Sequence, residues 1–150
     1  MYPIGYVRSP IKQLKPSEQQ GDLENDYWQK VESEVIIHDN LVPALDGIER
    51  FSHVVVLWWM HQIPEEQRKN RLKVHPRGRQ ENPLRGVFAT RSPVRPNLIG
   101  MTVVQLIERK GTVLRVRGLD ALDGSPVIDI KPFSKSYDDL QGSFQKPDGV

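Results

Sequence analysis

The chain has 150 residues, no cysteine, 37% apolar residues and a formal net charge of +2. That length suits one domain with a real core, and the lack of cysteine excludes disulfides, thiolate-bound zinc and a cysteine nucleophile. No apolar run approaches the ~20 residues of a membrane-spanning helix, and the opening MYPIGYVRSP has no apolar h-region, so the expectation is a cytoplasmic protein with no membrane segment and no secretory signal.

Pro3 to Arg8 alternates and reads as an opening strand closed by Ser9-Pro10. Ile11 to Asp26 is polar and reads as a loop. Ser33 to His38 contains Val35, Ile36 and Ile37, a buried strand. Val42 to Arg50 reads as one or two short helical turns, with Pro43 at a helix start and Gly47 against a longer helix. Val54 to Met60 (VVVLWWM) is β-branched and aromatic, a central strand. Pro64 to Asn82, punctuated by Pro76 and Gly78, is expected to be a mobile basic insert with one helical turn near Glu65 to Arg71.

Gly86 to Gly100 (GVFATRSPVRPNLIG) is expected to start as a strand through Val87, Phe88 and Ala89 and then break into a loop. Pro93 and Pro96 stiffen that loop. It carries Arg91 and Arg95, whose guanidinium forks match carboxylates and phosphates. Two such forks on a stiff loop between strands point to ligand holding.

Met101 to Glu108 and Thr112 to Arg117 are strands joined by a turn at Lys110-Gly111, and the second alternates apolar with basic. Asp120 to Ser125 is a polar connection turning at Asp123-Gly124, and Pro126 to Lys131 is the last strand. Residues 1–133 therefore make one mainly β domain, a small closed or partly closed β-barrel with short helical turns. Residues 134–150 read as a polar, partly loose tail.

Charge is uneven. From Arg68 to Arg95 there are nine Lys/Arg and one acid, Glu81, while the remaining residues carry twelve basic and eighteen acidic groups. Such asymmetry suits either a polyanionic partner or a solvated loop on an acidic protein. Histidines 38, 53, 61 and 75 form no H-E-x-x-H pair, and no metal site is expected. There is no G-x-S-x-G, G-x-G-x-x-G or Walker loop. What remains is a set of polar residues at strand ends: Gln20, His61 with Gln62, Arg91, Asn97, and Asp120 with Asp123. They make one small-molecule pocket if the barrel brings these ends to one rim; the two aspartates also suit purely local turn bonding.

GVFATRSPVRPNLIG followed by GLDALDGSPVIDIKPF resembles the TsaA/TrmO family of β-barrel, S-adenosylmethionine-dependent tRNA methyltransferases. IGYVRSP, FSHVVVLWWMHQ and HPRGRQENPLRGVFATRSP carry the same resemblance, which covers about residues 4 to 133. The resemblance implies a homodimer with S-adenosylmethionine near its interface. The implied reaction methylates N6 of threonylcarbamoyladenosine on the 3′ side of the tRNA anticodon. Carried over by motif, the donor-binding residues are Gln20, His61, Gln62, Arg91, Met101, Gly118, Leu119, Asp120 and Ala121. The sequence departs from the family pattern at Glu18-Gln19-Gln20, where a basic residue is usual, and at Leu98, where proline is common. It also ends soon after DIKPF, without the further domain of longer bacterial members.

Methyl transfer from a sulfonium is an in-line displacement governed by positioning. An arginine can fork onto the donor's carboxylate and an aspartate can take its ribose hydroxyls. His61 and Asp123 are both candidates to take the proton of the accepting nitrogen. Arg77, Arg79, Arg85 and Arg95 are the residues expected to hold anticodon-loop phosphates. Trp58 or Trp59 serves either as a base-stacking platform or as core. Two other readings remain at this level: the same fold acting on a small-molecule acceptor, and a non-catalytic RNA-binding barrel.

Overall fold

A computed structural model describes residues 2–13, 27–139, 142, 143 and 145. Its strands are β1 (Gly5–Arg8), β2 (Glu32–Ile37), β3 (His53–Trp59), β4 (Lys73–Val74), β5 (Arg85–Gly86), β6 (Ile99–Lys110), β7 (Val113–Arg117) and β8 (Pro126–Pro132). Six of them close an antiparallel barrel in the order β1-β2-β7-β6-β3-β8, and β4 and β5 form a separate ribbon. Closure leaves the barrel no free edge. Register shifts at Leu57/Trp58 between β3 and β8, and at Leu106/Glu108 between β6 and β7, bend the strands as closure requires.

Period-two alternation decides which side chains fill the interior. Val7, Val35, Ile37, Val54, Val56, Val104, Leu106, Leu114, Val116 and Val127 point inward and form one buried cluster with Trp58. Burying each such Val or Leu contributes about 1.5–3 kcal/mol before entropy is counted. One end of the barrel is covered by 3-10 turns at Asp39–Leu45 and Ile48–Arg50, with Leu45 in the core. Gly47, at φ 84, separates the two turns, and Arg109 on β6 ties them down through Leu45 O (3.0 Å) and Glu49 (3.4 Å). The opposite end is plugged by Leu119 and Ala121, both fully buried.

Two expectations change. Val87–Ala89 is a 3-10 turn, not a strand. Thr90 closes it, because its backbone N–H and its hydroxyl both donate to Val87 O, at 3.1 and 2.9 Å. The basic insert also holds more than the one helical turn expected of it. Besides that turn, α2 (Glu65–Arg68), it contains β4, which pairs with β5 just beyond the insert, and a tight knot at its tip. There His75 Nδ1–H donates to Asn82 O (2.7 Å) and Asn82 Nδ2 donates to Pro76 O (2.9 Å). Short turns α1 (Tyr27–Lys30) and α3 (Lys135–Asp138) complete the described structure. Among the described residues no helix is long and apolar enough to cross a membrane.

Candidate functional site

The strand register gathers several of the predicted polar residues at one rim. Tyr6 of β1 faces Pro126 of β8, Trp58 of β3 faces Val127, and Trp59 faces Ile99 of β6. The C-terminal ends of β1 and β3 therefore lie beside the N-terminal ends of β6 and β8. His61 and Gln62 follow β3, Met101 lies near the start of β6, and the 118–125 connection crosses the same end. Gln20 lies outside the described residues.

Each side chain at this rim is held differently. His61 is exposed, and its Nδ1 lies 3.3 Å from Oγ of Ser125, which is 1% exposed. Gly124, at φ 77, makes the turn that brings Ser125 under the ring. Gln62 Nε2 donates to Lys12 O (2.9 Å). Asp123 Oδ1 accepts Ser9 N–H (2.9 Å), and Asp123 N–H donates to Ile11 O (2.8 Å), so this residue stitches the connection to the end of β1. In the Gly118–Ala121 segment, Leu119 and Ala121 face the core while Asp120 is exposed between them.

Asp120 is positioned from inside the barrel. Its Oδ1 accepts a short hydrogen bond from the Thr102 hydroxyl, and Thr102 Oγ1 in turn accepts Trp58 Nε1–H (3.3 Å). An indole N–H only donates and a carboxylate only accepts, so the hydroxyl direction is fixed without ambiguity. Thr102 and Ser125 were absent from the sequence-derived site. Thr102 had a visible signal, being a polar residue at an inward position of an otherwise apolar strand face.

The arginine loop is stitched by its own hydroxyls. Ser92 N–H donates to Thr90 Oγ1 and Val94 N–H to Ser92 Oγ, both at 3.2 Å. Val94 and Leu98 are buried beneath it, and Arg68 of α2 donates to Pro96 O (3.0 Å). Arg91 is exposed and reaches Met101 O (3.4 Å), which joins the loop to the rim. Arg95 is half-buried and folds back toward Ser92 O (3.5 Å). Arg77 and Arg79 are exposed at the insert's tip, and Arg85 is half-buried on β5. Between the insert and the arginine loop lies a cleft of about 1000 Å³. Arg71, Lys73, Arg77 and Arg91 line it together with Leu84 and Phe88, and no acidic residue does.

Trp58 is 6% exposed and belongs to the core cluster, so it is not a stacking platform. Trp59 is half-buried.

The family described as "tRNA-methyltransferase O N-terminal domain" matches residues 6–139. The chain belongs to this family. A relative from Methanothermobacter thermautotrophicus, named a probable S-adenosyl-L-methionine-binding protein, is 48% identical over 138 residues, covering 92% of each chain. A mouse protein named tRNA (adenine(37)-N6)-methyltransferase is 37% identical over 141 residues, which are 93% of this chain and 32% of the mouse one. The crystal structure of TrmO from Pseudomonas aeruginosa superimposes with a TM-score of 0.68 at 32% identity. That match covers 95% of this chain, which spans 59% of the Pseudomonas TrmO chain. The barrel of this family thus holds His61, Gln62, Met101 and the 118–125 connection at one rim, which Arg91 reaches through Met101 O.

Proposed function

We propose that this TrmO-family chain binds S-adenosylmethionine at the His61 rim and transfers its methyl group to N6 of threonylcarbamoyladenosine at position 37 of tRNA. The observation that carries this reading is the gathering of His61, Gln62, Arg91, Met101 and the Gly118–Ala121 turn at one barrel end, beside a cleft walled by cations. The names of the Methanothermobacter and mouse relatives support the donor and the acceptor respectively.

In this reading Arg91 forks onto the donor carboxylate. Asp120, held by Thr102, accepts the ribose hydroxyls, and Gln62, Met101 and the backbone of Gly118, Leu119 and Ala121 line the donor. Gln20 completes the set from outside the described residues. The accepting nitrogen attacks the methyl carbon, the S–C bond breaks, and a neutral thioether leaves while the nitrogen sheds a proton. His61 takes that role in preference to Asp123, whose carboxylate already anchors Ser9. A neutral ring that donates Nδ1–H to Ser125 presents Nε2 as the acceptor.

Arg77, Arg79, Arg85 and Arg95 engage backbone phosphates in this reading. The working unit is a homodimer. Its support is the apolar pair Met101 and Val103 on the outer barrel face, 51% and 45% exposed beside half-buried Leu57.

The test is incubation of the pure protein with labelled S-adenosylmethionine and tRNA that carries or lacks the threonylcarbamoyl group, followed by mass spectrometry of the nucleosides. The expected product is threonylcarbamoyladenosine one methyl group heavier. With a metabolite extract added to the same mixture, label found only in small molecules and not in tRNA would establish a small-molecule acceptor. Failure of the donor to bind, with RNA still bound, would establish a non-catalytic RNA-binding barrel.

A further inference from the structure

The most exposed apolar ring in the cation-lined cleft is Phe88, at 81% exposure. Single exposed apolar residues are ordinary on protein surfaces, but three features set this one apart. The first is rigidity. Val87 is 2% exposed and its N–H donates to Leu72 O (3.0 Å), while Thr90 closes the turn onto Val87 O. Phe88 is thus held outward by buried anchors on either side of it, in a position where it buries almost none of its own surface. The second is its setting, a concave wall shared with Leu84, which is 55% exposed. The third is charge. Arg71, Lys73, Arg77 and Arg91 line the same cleft, no acid does, and Arg71, Lys73 and Arg77 are in no ion pair with another described residue.

We propose that this cleft is a stacking site for an unpaired nucleobase of RNA, with Phe88 as the platform and Arg71, Lys73 and Arg77 on the flanking phosphates. The proposal rests on the reading that the chain acts on RNA and names the part of the molecule that recognises it. A phenyl ring offers a π face and no hydrogen-bonding group, which suits a planar base of any identity. An apolar protein partner would leave the cleft's cations desolvated and without counter-charges, at a cost a polyanion removes. Arg91 lines the cleft and also reaches Met101 O, so a base stacked there lies next to the rim. Phe88 takes the part that the sequence offered to the tryptophans.

The experiment is fluorescence anisotropy of two labelled RNAs: a stem closed by a seven-nucleotide loop, and a fully paired duplex of matching length. The proteins are the wild type and variants in which Phe88 is replaced by Ala, Leu or Trp. Phe88→Ala is expected to weaken hairpin binding by about 5- to 150-fold, the change equivalent to a stacking contact of ~1–3 kcal/mol. Duplex binding, the salt slope and S-adenosylmethionine affinity are expected to stay at wild-type values, because no charge is lost. Phe88→Trp should restore hairpin binding, and Phe88→Leu should not. Full rescue by Leu would overturn the proposal in favour of simple apolar packing. A change in sedimenting mass with Phe88→Ala would overturn it in favour of a protein–protein contact. Wild type that binds neither RNA overturns both this proposal and the RNA reading, whereas wild type that binds the hairpin as tightly as Phe88→Ala overturns the stacking site alone.

Discussion

Gly100 leaves the space that the indole of Trp58 occupies. A Cβ at position 100 would lie 2.3 Å from Cε2 of the ring and 2.7 Å from Nε1. The two residues are direct partners across β3 and β6, so the ring lies over the glycine and its N–H reaches Thr102 on the same strand. Gly100→Ala must therefore move a buried tryptophan. The expected loss is about 1–3 kcal/mol, the usual cost of overpacking a core. Chemical denaturation measures it, and wild-type stability in the variant would mean that the ring has room to shift.

Thr102 is the link between that ring and the rim. Thr102→Val keeps the shape and removes the hydroxyl, leaving the Trp58 N–H unpaired in the core and Asp120 without its donor. Leaving a buried polar group unsatisfied costs about 1–3 kcal/mol, to be read from unfolding curves. Thr102→Ser retains both bonds and should recover most of the loss. Calorimetry with S-adenosylmethionine supplies the second readout. Affinity should fall with Val and return with Ser, and equal affinity in all three proteins would remove Thr102 from the donor site.

The strands were legible because inward and outward residues alternate so cleanly, as in the TVLRVR run that became β7. What the pattern could not decide was the direction of a side chain in a continuous apolar run. VVVLWWM reads as a strand whichever face Trp58 occupies, and only the register with Gly100 and Val127 puts it inside. Val87-Phe88-Ala89 misled for a related reason. Val87 and Phe88 favour strands, but the Thr90 hydroxyl offers Val87 O a local bond that closes a turn. The β4–β5 ribbon escaped notice because two-residue strands are too short to show a period. Ser125 was invisible as a site residue, since its contact with His61 spans 64 positions in sequence.

Acid should weaken the barrel at a definable place. A hydrogen bond from Arg117 holds the Glu32 carboxyl below its ordinary value of 4.5. The unfolded chain then binds the proton more readily than the folded one. The stabilisation is full above the ordinary value and is lost as pH falls through the depressed folded value. Glu32→Gln should therefore unfold earlier than wild type at pH 7, by a small margin for an exposed pair. The two proteins should converge in acid. A margin that stayed constant from neutral to acid pH would trace the effect to side-chain shape instead of charge.

Donor and RNA binding should separate by mutation. Arg91 reaches Met101 O at the rim, whereas Arg77 and Arg79 are exposed at the tip of the insert. Arg91→Ala leaves a donor charge unpaired and should weaken S-adenosylmethionine binding by about 2–5 kcal/mol if the contact is desolvated. That loss should change little with salt. Arg77 adopts a positive φ of 57, so Asn is a better replacement there than Ala. Arg77→Asn combined with Arg79→Ala should weaken tRNA binding and flatten its log–log salt dependence by about 0.7–0.9 per lost phosphate contact. Donor affinity should be unchanged in that double variant. Donor calorimetry and tRNA titrations at several salt concentrations measure both effects. If Arg91→Ala kept its donor affinity while the double variant lost it, the two regions would exchange roles. If neither variant altered either affinity, the concentration of charge between Arg68 and Arg95 would be a solvated surface.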